Sequence, residues 1–197
     1  MIDTKLRPAF NRFFEKMAEV MIKMNCTPDQ ITVIAFILGV FAAILTAGKN
    51  PVIALALLWL SGLMDVLDGT VARLTKRTSA GGALLDLILD RMVEAAMIFG
   101  FHYWMPEYTW MYLFFLTGVI FNFSTFLAAG SLYQNLGEKS IHYDSGLLER
   151  TETFIFFSLV LIFPHLTFYL FLIFNVLMFV TGIGRFYGIY RFGEQSN

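Results

Sequence analysis

The stretch DVLDGTVARLTKRTSAGGALLDLILD, residues 65–90, places four aspartates in two long apolar segments joined by a short polar loop. Asp65 and Asp68 lie before the loop, and Asp86 and Asp90 lie after it. A carboxylate at membrane depth costs about 3 kcal/mol on insertion scales, so four together require a compensating cation or a water-filled cavity. The stretch therefore predicts bound metal at a membrane.

The composition excludes an ordinary soluble domain. The chain has 197 residues, of which 57% are hydrophobic, and its mean hydropathy is +0.67. Its apolar runs approach the 20 or so residues that an α-helix needs to cross a bilayer. The net charge of −1 says little about partners, because the charges are concentrated at the ends of the apolar runs, but there is no broad basic face for nucleic acid. The single cysteine, Cys26, excludes an internal disulfide.

These runs predict an all-α integral membrane protein with six transmembrane helices. Before the first span, residues 6–24 alternate apolar side chains with Lys and Arg, which predicts an amphipathic helix lying in the membrane interface. We therefore divide the chain into an interfacial segment, 1–27, and a six-helix membrane domain, 28–197. The expected spans are residues 30–47, 51–75, 82–104, 108–134, 150–164 and 166–191.

The basic residues predict the orientation of the spans. With six spans, the N-terminus, the 74–81 loop, the 131–150 loop and the C-terminus share one side, where nearly all Lys and Arg residues lie. The positive-inside rule places that side in the cytoplasm. We therefore expect a multi-pass protein of the cell membrane, without a cleaved signal peptide, whose acidic site faces the cytoplasm.

Helix geometry predicts that the four aspartates converge. Asp65 and Asp68 share one helix face, as do Asp86 and Asp90. Asp68 and Asp86 would lie about 10 Å inside the loop and the other two about 15 Å inside it, giving two facing levels. Carboxylate oxygens select Mg²⁺, Mn²⁺ or Ca²⁺. Two divalent cations would balance the four negative charges, and a pair of such cations is an arrangement used in phosphoryl transfer.

The neighbouring residues suit a phosphate or nucleotide ligand. Gly69, Ala72 and Gly82 remove bulk along the two helices, although small residues in membrane helices also serve packing. Arg73 provides a planar fork for phosphate, and Ser79 provides a hydroxyl in the loop.

These residues resemble the signature of the CDP-alcohol phosphotransferase (CDP-alcohol phosphatidyltransferase) family, D-x2-D-G-x2-A-R-x8-G-x3-D-x3-D. All eight fixed positions are met between Asp65 and Asp90, and the predicted six helices extend the resemblance over essentially the whole chain. The resemblance implies a membrane enzyme of phospholipid synthesis. Such an enzyme moves a phosphatidyl-type group from a CDP-activated lipid, CDP-diacylglycerol or CDP-archaeol, to the hydroxyl of a small polar acceptor and releases CMP.

The resemblance also implies roles for individual residues. The four aspartates would bind two divalent cations, usually Mg²⁺ with Mn²⁺ as the other candidate, and Asp90 would also be the general base. Residues 27–32, TPDQIT, are similar to the family's T-P-N-x-I-T segment, with Asp29 in place of the commoner Asn. A homodimer is implied as well. The implied CDP contacts are Asp29, Gln30, Asp68, Gly69, Ala72, Arg73, Ser79 and Gly82.

Two arginines are candidates for binding the acceptor. Arg150 lies in a segment similar to the G-L-x-x-R-x-E-R motif of the family branch that uses inositol phosphate, and Arg185 lies where that branch has another arginine. Thr153 replaces a basic residue of that motif. The alternative interpretation is that Arg150 anchors a helix end and that Arg185 extends to the interface. Inositol phosphate is therefore one candidate acceptor among several.

Other functions remain open at this point. The chain could transfer a phospho-alcohol from a soluble CDP-alcohol to a lipid hydroxyl. It could also be an intramembrane cation transporter that uses the aspartate cluster, although we find neither inverted repeats nor interrupted helices. An aspartate-rich prenyltransferase would need more helices than this chain supplies. Arg91 and Glu94 are expected to pair with their neighbours.

Overall fold

The computed structural model describes residues 2–134 and 150–195, and all regular structure in these residues is helical. The all-α prediction is therefore confirmed for this part of the chain. Two short 3-10 turns, Pro106–Tyr108 and Pro164–Leu166, precede the fifth and seventh α-helices. The α-helices are α1 (Ile2–Lys23), α2 (Pro28–Ala47), α3 (Pro51–Leu74), α4 (Ala80–Trp104), α5 (Thr109–Gln134), α6 (Arg150–Ile162) and α7 (Thr167–Gln195).

Within residues 2–134 and 150–195, four helical segments are long and apolar enough to cross a membrane: Pro28–Ala47, Pro51–Leu74, Pro106–Ala128 and Pro164–Arg191. The 25-residue α4 is long enough but carries four charged residues after its first turn. The described part of α6 has 13 residues, or about 20 Å of helix. The structure thus supports a membrane-embedded helical protein, whereas the full set of six spans and the interfacial position of α1 stay predictions.

The first three helices end in the same way. After α3, the Arg77 amide donates to the Ala72 carbonyl at 2.9 Å and the Lys76 amide donates to the Arg73 carbonyl at 3.2 Å. These two bonds form a Schellman motif, which needs a residue with positive φ, and Lys76 has φ 55°. Asn25 and Lys49 have the equivalent position after α1 and α2. The motif reverses the chain so that α4 begins beside the end of α3.

Side-chain caps begin the two helices that lead into the site. Thr27 and Gln30 form a capping box, in which each side chain accepts a hydrogen bond from the other's backbone amide. Ser79 caps α4 by accepting from the Gly82 amide at 2.9 Å. These caps start α2 and α4 two residues earlier than the apolar runs predicted, at positions 28 and 80.

Helix α2 packs closely against both α3 and α4. A Cβ added to Gly100 of α4 would lie 2.5 Å from the Ala43 carbonyl of α2, so only glycine allows this approach. Helix α1 packs one face on this group, where Ala18 is buried with Ile31, Leu67 and Val71. Aromatic residues fill the contacts made by α5, α6 and α7, including Phe156 stacked on Phe174 at 4.1 Å. The two aspartate-bearing helices are therefore held from several sides.

Candidate metal and nucleotide site

Three of the four aspartates come together in the structure. Asp65, Asp68 and Asp86 each offer a carboxylate oxygen, and these oxygens all lie within 4.8 Å of one another. Two of the residues come from α3 and the third from α4, as the helix spacing predicted. Asp68 is buried, and the other two are partly exposed.

This group does not include Asp90. Asp90 lies one turn after Asp86 on α4 and is partly exposed. Asp65 belongs to the group, although depth along the helix predicted Asp90 as its partner. The arrangement of all four carboxylates on two facing levels therefore stays a prediction. The role of Asp90 as general base stays a prediction as well.

The three-aspartate group fits a hard divalent cation. Its donors are all carboxylate oxygens, which Mg²⁺ and Mn²⁺ prefer to thiolate or imidazole. Three acidic residues on adjacent helices also repel one another unless a cation lies among them. The residues present therefore fit the metal predicted from the sequence, and Asp65, Asp68 and Asp86 are the side chains that would hold it.

Asp68 accepts a hydrogen bond from another helix. The Thr32 hydroxyl of α2 lies 2.6 Å from the Oδ2 atom of Asp68, and both side chains are buried. Distances of 2.5–2.7 Å are typical of a hydroxyl that donates to an ionised carboxylate. Thr32 lay within the TPDQIT segment, but its role in the site was not predicted.

Arg73 is held above the glycine of the signature. Its Nη2 atom donates to the Thr70 hydroxyl at 3.0 Å, and Thr70 donates in turn to the Val66 carbonyl at 2.8 Å. A Cβ on Gly69 would lie 3.4 Å from the Arg73 Nη1 atom. The guanidinium group thus lies within van der Waals contact of the Gly69 Cβ position. Thr70 is a second residue whose role was not predicted.

The predicted CDP contacts at the two helix starts also lie close together. A Cβ on Gly82 would be 3.1 Å from the Asp29 Oδ1 atom and 3.1 Å from the Ser79 Oγ atom. The N-termini of α2 and α4 therefore meet, and their free amides and positive dipole ends favour an anion such as a diphosphate. The Gln30 and Ser79 side chains already cap these helices. Ala72 is partly exposed on α3, one residue before Arg73.

Arg91 and Glu94 form an ion pair, as expected. Arg91 Nη1 lies 2.8 Å from Glu94 Oε2, and Glu94 is buried. Pairing allows a carboxylate to remain buried in the helical bundle, since an isolated one would be costly there. The pair lies next to Asp90 in sequence, so α4 has charged residues beyond the three-aspartate group.

Of the two acceptor candidates, only Arg185 has a side chain that the structure describes. Arg185 of α7 donates to the Asn122 carbonyl of α5 at 3.4 Å, which is a long hydrogen bond. Arg150 is the first residue of α6, and its side chain lies outside the described part of the chain. Most of the 131–150 loop, which we expected to line the acceptor pocket, also lies outside it. Their acceptor roles stay predictions.

The fold and the site together define a helical membrane protein with a hard-cation site beside two converging helix starts. Comparison with known proteins identifies its class. The family model for CDP-alcohol phosphatidyltransferase matches residues 25–184, so the chain belongs to that family. The protein is therefore a membrane transferase of phospholipid synthesis.

Two relatives extend this comparison. The chain is 34% identical to the inner membrane protein YnjF of Escherichia coli in an alignment of 198 positions, gaps included, that covers 96% of each protein. It is 33% identical to the phosphatidylinositol phosphate synthase of Corynebacterium glutamicum over 154 residues, which cover 72% of this chain and 65% of the relative.

Solved structures of the Mycobacterium tuberculosis phosphatidylinositol phosphate synthase share the fold. The form with CDP-DAG bound superposes with a TM-score of 0.73 at 22% identity, covering 91% of this chain and 94% of the other. The form in complex with manganese and citrate gives a TM-score of 0.77 at 21% identity, covering 90% and 88%. At this identity the likeness concerns the fold alone.

Proposed function

We propose that the protein transfers a phosphatidyl-type group from a CDP-activated lipid to the hydroxyl of a small polar acceptor, with inositol phosphate as the first candidate, and releases CMP. The observation that carries this proposal is the three-aspartate group within 4.8 Å, next to the starts of α2 and α4. Hard ligands and free helix amides together suit a diphosphate.

The residues that surround the site support a CDP-linked lipid as the donor. Arg73, the Gly69 backbone and the converging helix starts would bind the cytidine diphosphate. The CDP contacts proposed from the signature, Asp29, Gln30, Asp68, Gly69, Ala72, Arg73, Ser79 and Gly82, all lie on α2, α3 or α4 or at their ends. CDP-DAG is the ligand of a protein with the same fold. An apolar exterior beside the site would let the acyl chains remain in the bilayer.

The residues of the chain have separate tasks in this reaction. Divalent cations, Mg²⁺ or Mn²⁺, would neutralise the diphosphate and stabilise the leaving CMP when bound. Asp65, Asp68 and Asp86 would bind these cations together with Asp90. Asp90 also takes the proton from the acceptor hydroxyl. Arg73 orients the phosphates through its planar donor fork. The deprotonated acceptor oxygen then attacks the phosphorus atom that carries the lipid, and the bond between that phosphorus and the oxygen of CMP breaks.

Inositol phosphate is proposed as the acceptor from the relatives and from two arginines. Phosphatidylinositol phosphate synthases are among the relatives and the structural neighbours. Arg150 and Arg185 provide the charge that a phosphorylated acceptor needs. Arg185 already lies near α5, so a modest side-chain movement away from the Asn122 carbonyl would free its guanidinium.

The setting in the membrane and the assembly belong to the same proposal. Arg73, Lys76 and Arg77 lie at the end of the α3–α4 hairpin on which the site opens, and the positive-inside rule places that end in the cytoplasm. A homodimer would cover part of the exposed aromatic surface of the helices. Two copies of the six-helix domain would then each carry one complete site.

The test is a transfer assay with the purified protein in lipid nanodiscs. CDP-diacylglycerol and Mg²⁺ are supplied with inositol phosphate, glycerol phosphate or serine in separate reactions, and CMP and the lipid product are both measured. We expect CMP release that depends on one acceptor. When an aspartate of the site is replaced in this assay, Glu107→Gln is the matched control, since Glu107 is exposed just beyond the other end of α4.

Each alternative gives a different result in this assay. Release of CMP only when a soluble CDP-alcohol is supplied with a lipid hydroxyl would reverse the roles of donor and acceptor. Cation flux across vesicles without CMP release under any condition would overturn the enzymatic proposal. Release of CMP with serine or glycerol phosphate alone would retain the reaction and reject inositol phosphate.

A further inference from the structure

The hydrogen bond between Thr32 and Asp68 joins two helices at the metal site. The residues are 36 positions apart, and their side chains are 5% and 6% exposed. The Thr32 hydroxyl is also 3.1 Å from the Pro28 carbonyl. A hydroxyl has one hydrogen, and the shorter distance and the charged acceptor both favour donation to Asp68.

Both partners are firmly placed. The capping box fixes the first turn of α2, and Thr32 lies in the next turn. The Ser61 hydroxyl of α3 donates to the Ala35 carbonyl of α2 at 2.7 Å, so a second hydrogen bond ties the same two helices. Ile31 and Leu67, the sequence neighbours of Thr32 and Asp68, are buried with Val71 in one apolar cluster. In such surroundings the Asp68 carboxylate has little freedom to rotate.

We propose that Thr32 is a positioning residue that orients the Asp68 carboxylate for divalent cations and thereby sets the affinity of the site. The hydroxyl donates to Oδ2, and Asp68 also belongs to the three-aspartate group, whose carboxylate oxygens lie within 4.8 Å of one another. Hydrogen bonds to metal ligands are known to change metal affinity or activity by about 10- to 100-fold when they are removed. The inference rests on the proposed function only in that the aspartates bind metal.

The experiment measures binding of Mn²⁺ alone to the purified full-length protein, by calorimetry and by loss of the free-Mn²⁺ electron paramagnetic resonance signal. Thr32→Ala removes the hydroxyl, Thr32→Val removes it while keeping the branched shape, and Thr32→Ser keeps it. We expect Mn²⁺ to bind about 10- to 100-fold more weakly to the Ala and Val variants. The Ser variant should bind Mn²⁺ nearly as tightly as the unmodified protein.

Thr46→Ala is the matched control. Thr46 is a fully buried threonine of the same helix, and its hydroxyl donates within α2 to the Ala42 carbonyl at 2.9 Å. The substitution should leave Mn²⁺ binding unchanged. If Val at position 32 prevents folding, the Ala variant decides the question, because it adds no atom against Asp68.

Two results would overturn the proposal. One is wild-type Mn²⁺ affinity in Thr32→Ala, and the other is equal weakening in Thr46→Ala. The readout does not require transfer activity. Weak Mn²⁺ binding in Thr32→Ala would therefore uphold the positioning role even if no acceptor were used, and active protein with unchanged Mn²⁺ binding would reject it while the proposed reaction stands.

Discussion

Asp29 and Gly82 face each other across the starts of α2 and α4, with the Asp29 Oδ1 atom 3.1 Å from where a Gly82 Cβ would lie. Asp29 belongs to the TPDQIT segment and Gly82 to the signature, and the fold makes them neighbours. The space that Gly82 leaves open is thus bounded by a carboxylate. A side chain at position 82 would fill it.

Gly82→Ala is therefore expected to impair donor binding. The added methyl group would push the Asp29 and Ser79 side chains, both 3.1 Å away, by a few tenths of an ångström. The KM for the CDP-lipid should rise several-fold, as measured by CMP release at varied donor concentration. Gly81→Ala is the control, since no described atom lies within 4 Å of its Cβ position. An unchanged KM in Gly82→Ala would contradict the close approach of nucleotide at this point.

Asp90→Asn should abolish transfer while leaving CDP binding intact. Removing a general base costs about 10²–10⁴-fold in rate. The amide retains the size of the side chain and can still contact a cation. Transfer is followed by CMP release and CDP binding by calorimetry, with Glu107→Gln as the control. Wild-type turnover in Asp90→Asn would exclude Asp90 as the base.

Thr70→Val should loosen Arg73 and weaken donor binding. The Thr70 hydroxyl accepts the 3.0 Å hydrogen bond from the Arg73 guanidinium, and valine cannot accept it. We expect a higher KM for the CDP-lipid, with Mn²⁺ binding unchanged. Thr75→Val is a close control, because Thr75 makes the same donation to a carbonyl four residues earlier, that of Val71 at 2.7 Å. Equal effects of the two substitutions would indicate a general loss of helix stability instead.

Gly100→Ala should destabilise the packing of α2 on α4. A methyl group at 2.5 Å from the Ala43 carbonyl would force the two backbones apart. Overpacking of this kind costs about 1–3 kcal/mol. Thermal unfolding in detergent should show a lower midpoint, whereas Gly188→Ala, where no described atom lies within 4 Å of the added Cβ, should not. Equal midpoints for Gly100→Ala and the unmodified protein would contradict the close helix contact.

The sequence predicted the local part of the site better than the contacts between helices. Spacings of three and four residues place Asp65 with Asp68 on one helix face and Asp86 with Asp90 on another, because helix periodicity alone decides which residues share a face. The same arithmetic gives depth but not the rotation of one helix about its axis relative to the next. The predicted depths therefore paired Asp65 with Asp90, whereas the structure groups Asp65 with Asp68 and Asp86.

Contacts between segments that are distant in the sequence could not be predicted, for a related reason. Thr32 and Asp68 meet only because α2 packs on α3 with a particular offset, and no periodicity in either segment records that offset. A threonine in an apolar run is ordinary, since its hydroxyl usually bonds to its own helix, as Thr46 does. The helix starts were missed by two residues because the apolar pattern begins after the capping residues Thr27 and Ser79.

The tight turn at Lys76 has a consequence for how this protein can change over evolutionary time. Because only five residues, 75–79, join α3 and α4, every position of the signature from Asp65 to Asp90 lies in one contiguous segment of the chain. Substitutions elsewhere in the chain can change which acceptor alcohol binds without separating the acidic residues from one another. One inherited unit could thus serve many different alcohols, each selected by the more distant helices.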